Sequence, residues 1–300
     1  MDESGLVGSL FTADTSPRPG VVVFGGSEGG CPVHVAERLA DKGFTCLALS
    51  YFNRPGLPRH LVEVPLEYVE TAITWLLDQP TVAGDRVGLL GVSKGAELAL
   101  LCASVFPSRV GAVVAYAPSS VVFAGISFGG DGRRRSSWTH RGVPVPFVPY
   151  APGSRPSLSW RGLKLAPMYR AALAQTDAAA AAVIPIEQGD APILLITGDR
   201  DSIWPSSEMA DAIAVRLAGA GKADRLTHLR YPDAGHSLIP WAPDTRFATF
   251  ARLADRVRLA GFGGLFELGG RPRANRHAHD DAWPQAVSCL TNALTAERAS

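Results

Sequence analysis

From residue 20 onward the chain alternates short runs rich in β-branched residues with longer helix-patterned stretches: residues 21–24, then 33–42, 45–49 and 66–77. A helical crossover returns the chain to the same end of a sheet, so strands punctuated in this way pair in parallel. Further strand-like runs lie at residues 87–90, 112–116, 193–196 and 226–231. All but the last are nearly continuously apolar, as strands covered on both faces have to be. Leu226-Thr227-His228-Leu229-Arg230-Tyr231 alternates instead, which suits an edge. The expectation is an α/β fold with a mostly parallel central sheet covered by helices on both faces.

One segment breaks this rhythm. Residues 123–168 hold Gly129-Gly130, Gly132, Arg133-Arg134-Arg135 and a proline-punctuated stretch with Trp138, Phe147, Tyr150 and Trp160, and neither the helical nor the strand period persists there. An irregular insertion of this length inside a compact domain is usually functional, and its aromatics argue against disorder. It reads as a lid, with Trp138, Phe147, Tyr150 and Trp160 walling a substrate pocket. The alanine run at residues 178–182 reads as a helix.

With 46% hydrophobic and 19% charged residues, 300 residues suit one large domain, expected to span 1–300. The formal net charge is +1, and apart from Arg133-Arg134-Arg135, read as a solvated loop, the basic residues are scattered. This argues against a nucleic-acid or membrane-surface partner. No stretch reaches the roughly 18 apolar residues of a membrane span, and Asp2 and Glu3 stand where a signal peptide carries basic residues. Cys31, Cys46, Cys102 and Cys289 are widely spaced, with no C-x-x-C pair and no His at metal spacing. They read as free thiols in a reducing compartment, so a cytoplasmic protein without metal or cofactor is expected.

The chemistry is concentrated at Gly91-Val92-Ser93-Lys94-Gly95, which follows the apolar run 87–90 and precedes the helix-forming stretch 96–101. A G-x-S-x-G motif between strand and helix is the setting of a nucleophile elbow, in which the serine is held at a strained turn above the sheet. Ser93 is therefore the candidate nucleophile. Strand 193–196 runs into Gly198-Asp199-Arg200-Asp201, placing two carboxylates, Asp199 and Asp201, at a strand's C-terminal end, where catalytic groups of parallel sheets gather. The next strand ends in Pro232-Asp233-Ala234-Gly235-His236. Of the seven histidines, only His236 combines a strand-end position with the order serine, acid, histidine of an α/β-hydrolase. The first strand opens into Gly25-Gly26-Ser27-Glu28-Gly29-Gly30, which lacks the G-x-G-x-x-G spacing of a dinucleotide loop. Backbone N–H groups of Ser27 or Glu28, with that of Lys94 after the nucleophile, are the candidate oxyanion donors.

Beyond these sites, residues 51–58 and 63–68, the elbow with Ala96 and Glu97, Ile203-Trp204-Pro205-Ser206 and Ala234-Gly235-His236 resemble the C-terminal catalytic domain of the acyl-CoA thioesterase and bile acid-CoA:amino acid N-acyltransferase family. Ser137-Trp138-Thr139, residues 143–146 and Ala282-Trp283-Pro284 share the likeness, which spans about residues 20–295. The resemblance implies an α/β-hydrolase fold, thioester substrates, and a triad of Ser93, His236 and Asp201, favouring Asp201 over Asp199 as the acid. Animal members carry an N-terminal β-sandwich; with 20 residues before the first expected strand, that domain is expected to be absent here. Amidating members carry cysteine at the nucleophile, whereas Ser93 is similar to the hydrolysing members.

The expected activity is hydrolysis of an acyl thioester, from CoA or a carrier, through an acyl-enzyme. The alternatives are acyl transfer or cyclisation of a CoA- or carrier-bound chain, a dienelactone-type or carboxylester hydrolase, and a small-molecule-binding protein without chemistry.

Overall fold

The structure, a computed structural model, describes residues 5–127, 134–238, 262–263 and 265–296. It opens with strands β1 (Val7–Phe11) and β2 (Arg18–Phe24), followed by helix α1 (Val33–Ala40), β3 (Thr45–Ser50), the two-residue β4 (Val64–Pro65), α2 (Leu66–Leu77), β5 (Val82–Val92), α3 (Lys94–Val105) and β6 (Val110–Tyr116). Four short strands follow: β7 (Trp138–His140), β8 (Val143–Pro144), β9 (Ser157–Ser159) and β10 (Gly162–Lys164). Helices α4 (Ala166–Leu173) and α5 (Thr176–Ala181) lead back to β11 (Ile193–Gly198), α6 (Ser206–Gly219) and β12 (Leu226–Tyr231). Strands β13 (Phe262–Gly263) and β14 (Phe266–Glu267) precede the 25-residue α7 (Pro272–Ala296).

Seven strands form one sheet in the order β1-β3-β2-β5-β6-β11-β12, with every pair parallel except β1 with β3. β12 lies at an edge, as its alternation predicts. Successive side chains of a strand face opposite ways. Ile193 and Leu195 of β11 therefore join a core with Leu66 and Ile73 of α2, Leu98 and Leu101 of α3 and Ile213 of α6. Leu194 and Ile196 join the opposite core with Leu39 of α1 and Trp283, Leu290 and Leu294 of α7. The chain moves from β2 outward to β3 and then crosses to β5 on the other side of β2. Such a reversal leaves a crevice outside the carboxyl ends of the strands, here between the loops after β2 and β5.

Two expectations are corrected. A strand precedes the one expected first: β1 pairs antiparallel with β3 along Val7 to Phe11 and is half-buried in alternation. Its Gly8 and Ser9 dilute the β-branched signal that marks the other strands. Residues 123–168 are also less irregular than expected. β7 pairs with β4 and β8, β9 and β10 form a hairpin joined to β14, and isolated bridges tie Phe123 to Val148 and Ala124 to Ser136. Runs of two or three residues are too short to display a period, so this order is invisible in the sequence. Gly129, Gly130, Gly132 and Arg133 lie outside the described residues, and Arg135 pairs with Glu63 through its guanidinium.

Candidate active site

Ser93 stands between β5 and α3 with φ +56° and ψ −119°, a conformation L-residues avoid and one that costs about 1–3 kcal/mol where it persists. Its backbone N–H donates to the Tyr116 carbonyl at 2.8 Å, fixing the turn to the end of β6. The flanking glycines are demanded by contact. A Cβ on Gly91 would lie 2.1 Å from the Gly95 carbonyl oxygen, and one on Gly95 would lie 2.2 Å from that of Gly25. The elbow is thus pressed against the loop after β2. The serine is buried beside the first turn of α3, where unsatisfied N–H groups favour negative charge. Among the described residues its hydroxyl has no hydrogen-bond partner, so the bond to a base is not formed in this structure; such bonds commonly tighten only with substrate present.

Two strands away, at the end of β11, the buried Asp201 carboxylate is held on both oxygens. Oδ1 accepts from the backbone N–H groups of Ile203 at 2.9 Å and Trp204 at 3.2 Å; Oδ2 accepts from the Ser206 hydroxyl and His236 Nδ1, each at 2.8 Å. A carboxylate that accepts on Oδ2 holds the imidazole proton on Nδ1 and leaves Nε2 as the basic nitrogen. Asp199 faces elsewhere, paired with Arg230 at 2.7 Å, whose guanidinium also reaches Asp211. The structure thus brings Asp201, not Asp199, to His236. The histidine loop is sewn down from outside: His236 N–H donates to the Leu268 carbonyl, Gly235 N–H to Asn275 Oδ1, and bridges join Asp201 to Gly269 and Ala234 to Gly270.

The glycine-rich loop lies against the serine, since a Cβ on Gly26 would come 3.4 Å from Ser93 Cβ. The Gly26 N–H is occupied by Glu28 Oε1 at 3.0 Å, and the Tyr51 hydroxyl donates to the Gly25 carbonyl at 2.7 Å. No described residue accepts a hydrogen bond from the backbone N–H of Ser27, Glu28 or Lys94. The candidate donors are therefore uncommitted.

The Lys94 side chain has a place the motif alone does not reveal. It is fully buried, with Nζ 2.5 Å from Glu97 Oε1 and 5.5 Å from the centre of the Trp138 ring. Glu97 also accepts from Trp138 Nε1 at 2.8 Å and from the Phe123 N–H at 3.4 Å. Burial pushes the lysine below and the carboxyl above their ordinary pKa values, and each partner's charge opposes the other's shift. Such a pair adds little net stability but is costly to break on one side. Glu97→Leu is expected to lower the unfolding free energy by about 3–5 kcal/mol in urea denaturation, and the double variant K94M/E97L to regain most of it.

Of the four aromatics expected to wall a pocket, two are placed otherwise. Trp138 has no exposed surface with which to touch a ligand, and it packs on Tyr51 behind the elbow. Trp160 is 88% exposed at the turn between β9 and β10, with the Arg161 guanidinium 5.7 Å from its ring centre. The sequence supplies their bulk but not their direction. Phe147 packs against the core on the α2 and α3 side. Tyr150 joins a third apolar cluster with Phe123, Met168, Tyr169 and Trp204. That cluster reaches the histidine, for the Tyr150, Tyr169, Trp204 and His236 rings follow one another with centres 5.6, 5.6 and 6.2 Å apart. Among the described residues, no group of three or more His, Cys, Asp or Glu side chains could hold a metal ion, and no helix is long and apolar enough to cross a membrane.

Comparison with known proteins places this site in a family. The fold is that of solved α/β hydrolases: one named α/beta hydrolase GrgF, from Penicillium sp. sh18, superposes with a TM-score of 0.51 at 14% identity over 97% of this chain and 94% of that one. A dienelactone hydrolase-like promiscuous phosphotriesterase, P91, from metagenomic libraries superposes with a TM-score of 0.52 at 17% identity over 95% and 92%. Acyl-coenzyme A thioesterase 5 of Mus musculus is 31% identical over 289 residues, covering 95% of this chain and 62% of the relative. Acyl-coenzyme A thioesterase 1 of Homo sapiens is 31% identical over 280 residues, covering 93% and 61%. The chain thus spans about three fifths of the length of these relatives. Residues 64–296 match the family described as BAAT / Acyl-CoA thioester hydrolase C terminal, a span that includes Ser93, Asp201 and His236, and the chain belongs to that family.

Proposed function

We propose that the chain hydrolyses acyl thioesters through an acyl-enzyme on Ser93, with His236 as base and Asp201 as the orienting acid. The observation that carries this reading is the 2.8 Å contact of Asp201 with His236 Nδ1, at the sheet edge where the strained Ser93 elbow also stands. His236 Nε2 takes the hydroxyl proton as Ser93 Oγ attacks the thioester carbon. The oxyanion is held by the N–H groups of Lys94 and of Ser27 or Glu28. Collapse of the intermediate expels the thiol, which leaves with the proton from His236. His236 then deprotonates water, which attacks the acyl-serine and releases a carboxylic acid while Ser93 Oγ recovers its proton. Each step uses protein groups and water alone. Asp201 balances the imidazolium charge without itself taking the proton.

The names of the thioesterase relatives support a CoA-bound acyl donor. Tyr150, partly buried and packed on the buried rings of Tyr169 and Trp204 that lead to His236, is the proposed acyl contact. Water is the proposed acceptor, since an acyl-serine ester is less activated toward amines than a thioester. The test supplies acyl-CoAs with glycine or taurine present and measures free acid against amide. Free acid is expected to dominate, with the Ser93→Cys variant shifting the ratio toward amide; predominant amide from the unaltered chain would overturn the hydrolytic reading.

A further inference from the structure

The segment Ile203-Trp204-Pro205-Ser206 does more than follow the acid. The Trp204 backbone N–H donates to Asp201 Oδ1, and its ring is buried against His236, Phe123 and Tyr169. Its Nε1–H reaches across to the carbonyl of Ala117 at 3.1 Å. Ala117 directly follows Tyr116, whose own carbonyl holds the Ser93 N–H at 2.8 Å. Ala117 takes φ +47°, a left-handed conformation that turns the chain away from β6 where that strand ends. The indole therefore links the loop that carries the acid and contacts the base to the strand end that anchors the nucleophile.

This link matters because the reacting groups come from different strands, β5 for Ser93, β11 for Asp201 and β12 for His236. Strand pairing sets their spacing only as far as the sheet edge. Beyond it, each group is carried by its own turn, and proton transfer from Ser93 to His236 requires those turns to hold a separation within tenths of an ångström. We propose that Trp204 is a positioning residue that sets the separation between the Ser93 elbow and the Asp201–His236 pair, through its indole N–H bond to Ala117. Ser206 works alongside it, its hydroxyl fixing Asp201 Oδ2 toward the imidazole. The proposal rests on the reading of Ser93 as nucleophile and His236 as base.

Two variants remove the bond with different disturbance. Trp204→Phe keeps an aromatic ring. Incorporation of benzothienylalanine at position 204 keeps the bicyclic shape and replaces only the N–H by sulfur, so it remains informative where the phenylalanine variant fails to fold. Each protein is assayed for the rate of covalent labelling by a fluorophosphonate, for kcat and KM on octanoyl-CoA and palmitoyl-CoA, and for its thermal midpoint. Both variants are expected to label and turn over about tenfold or more slowly with KM within about twofold, because a displaced base weakens the chemical step rather than binding. A folded benzothienyl variant with labelling and kcat within about threefold of the unaltered chain would overturn the proposal. A fall in thermal midpoint with unchanged kcat would also overturn it, leaving Trp204 a packing residue. Ser93→Ala runs beside them: if it still labels at the rate of the unaltered chain, the reading of Ser93 fails, whatever the Trp204 variants do.

Discussion

Ser93→Ala is expected to lower kcat by about 10³-fold or more while leaving the thermal midpoint nearly unchanged. The hydroxyl is the attacking group in the proposed mechanism, and nothing else in the elbow offers a nucleophile. The fold has little reason to respond. The hydrogen bond that fixes the turn is made by the Ser93 backbone N–H, the positive φ belongs to the position, and the hydroxyl has no partner among the described residues. Residual turnover should reflect the oxyanion donors and binding alone. The measurement is steady-state hydrolysis of an acyl-CoA by the purified variant, with thermal melting as the check on folding. More than about a tenth of the original activity in a folded variant would remove Ser93 from the nucleophile's role.

How far the sequence discloses such a site depends on whether the contacts involved are local. The elbow is legible because its motif is local: Gly91 and Gly95 stand two residues on either side of the serine, and a strand and a helix flank it. The parallel core is legible because buried strands four or more residues long show themselves by composition. β1 is missed because an edge strand with Gly8 and Ser9 has neither long apolar runs nor β-branched residues throughout. Strand position alone leaves Asp199 and Asp201 open, since both stand at the end of the same strand, and only the resemblance favours Asp201. What separates them is which one faces His236, 35 residues from Asp201, and which one faces Arg230. Two of the four lid aromatics are misread for the same reason, Trp138 turning to Glu97 and Trp160 to the surface.

The groups that reinforce the site are the least legible. Glu97 looks like a helix residue and Asn275 lies in the first turn of α7, yet one neutralises the buried Lys94 and the other anchors the histidine loop through Gly235. Besides the local pair with Lys94, Glu97 holds Trp138 and Asn275 holds Gly235, contacts that span 40 or more residues in sequence. Ser206 and Trp204 had a signal, the resemblance carried by residues 203–206, but their tasks emerge only once Asp201 and Ala117 are seen on either side of the indole. Long-range complementarity of this kind leaves no period and no spacing.

Asp201→Asn separates the two carboxylates, and its expected effect follows from the hydrogen bonds around Asp201. Two backbone N–H groups, of Ile203 and Trp204, point at Oδ1, so the amide oxygen of asparagine has to take that position. The NH₂ group then falls where Oδ2 was, facing the Ser206 hydroxyl and His236 Nδ1. The hydroxyl can rotate to accept, but the imidazole can accept on Nδ1 only by carrying its proton on Nε2. That tautomer cannot take a proton from Ser93, and the variant also lacks the charge that offsets the imidazolium. A loss of about 10⁴-fold in kcat is expected, with the fold intact because every hydrogen-bonding position remains filled. Asp199→Asn removes one partner of a partly exposed ion pair with Arg230, whose guanidinium keeps Asp211, and should change kcat by less than about twofold. Kinetics of the two variants side by side, with thermal melting to show that both are folded, decide the matter. If Asp199→Asn proved the more damaging, the acid would have to be reassigned and the 2.8 Å contact of Asp201 with His236 would be structural alone.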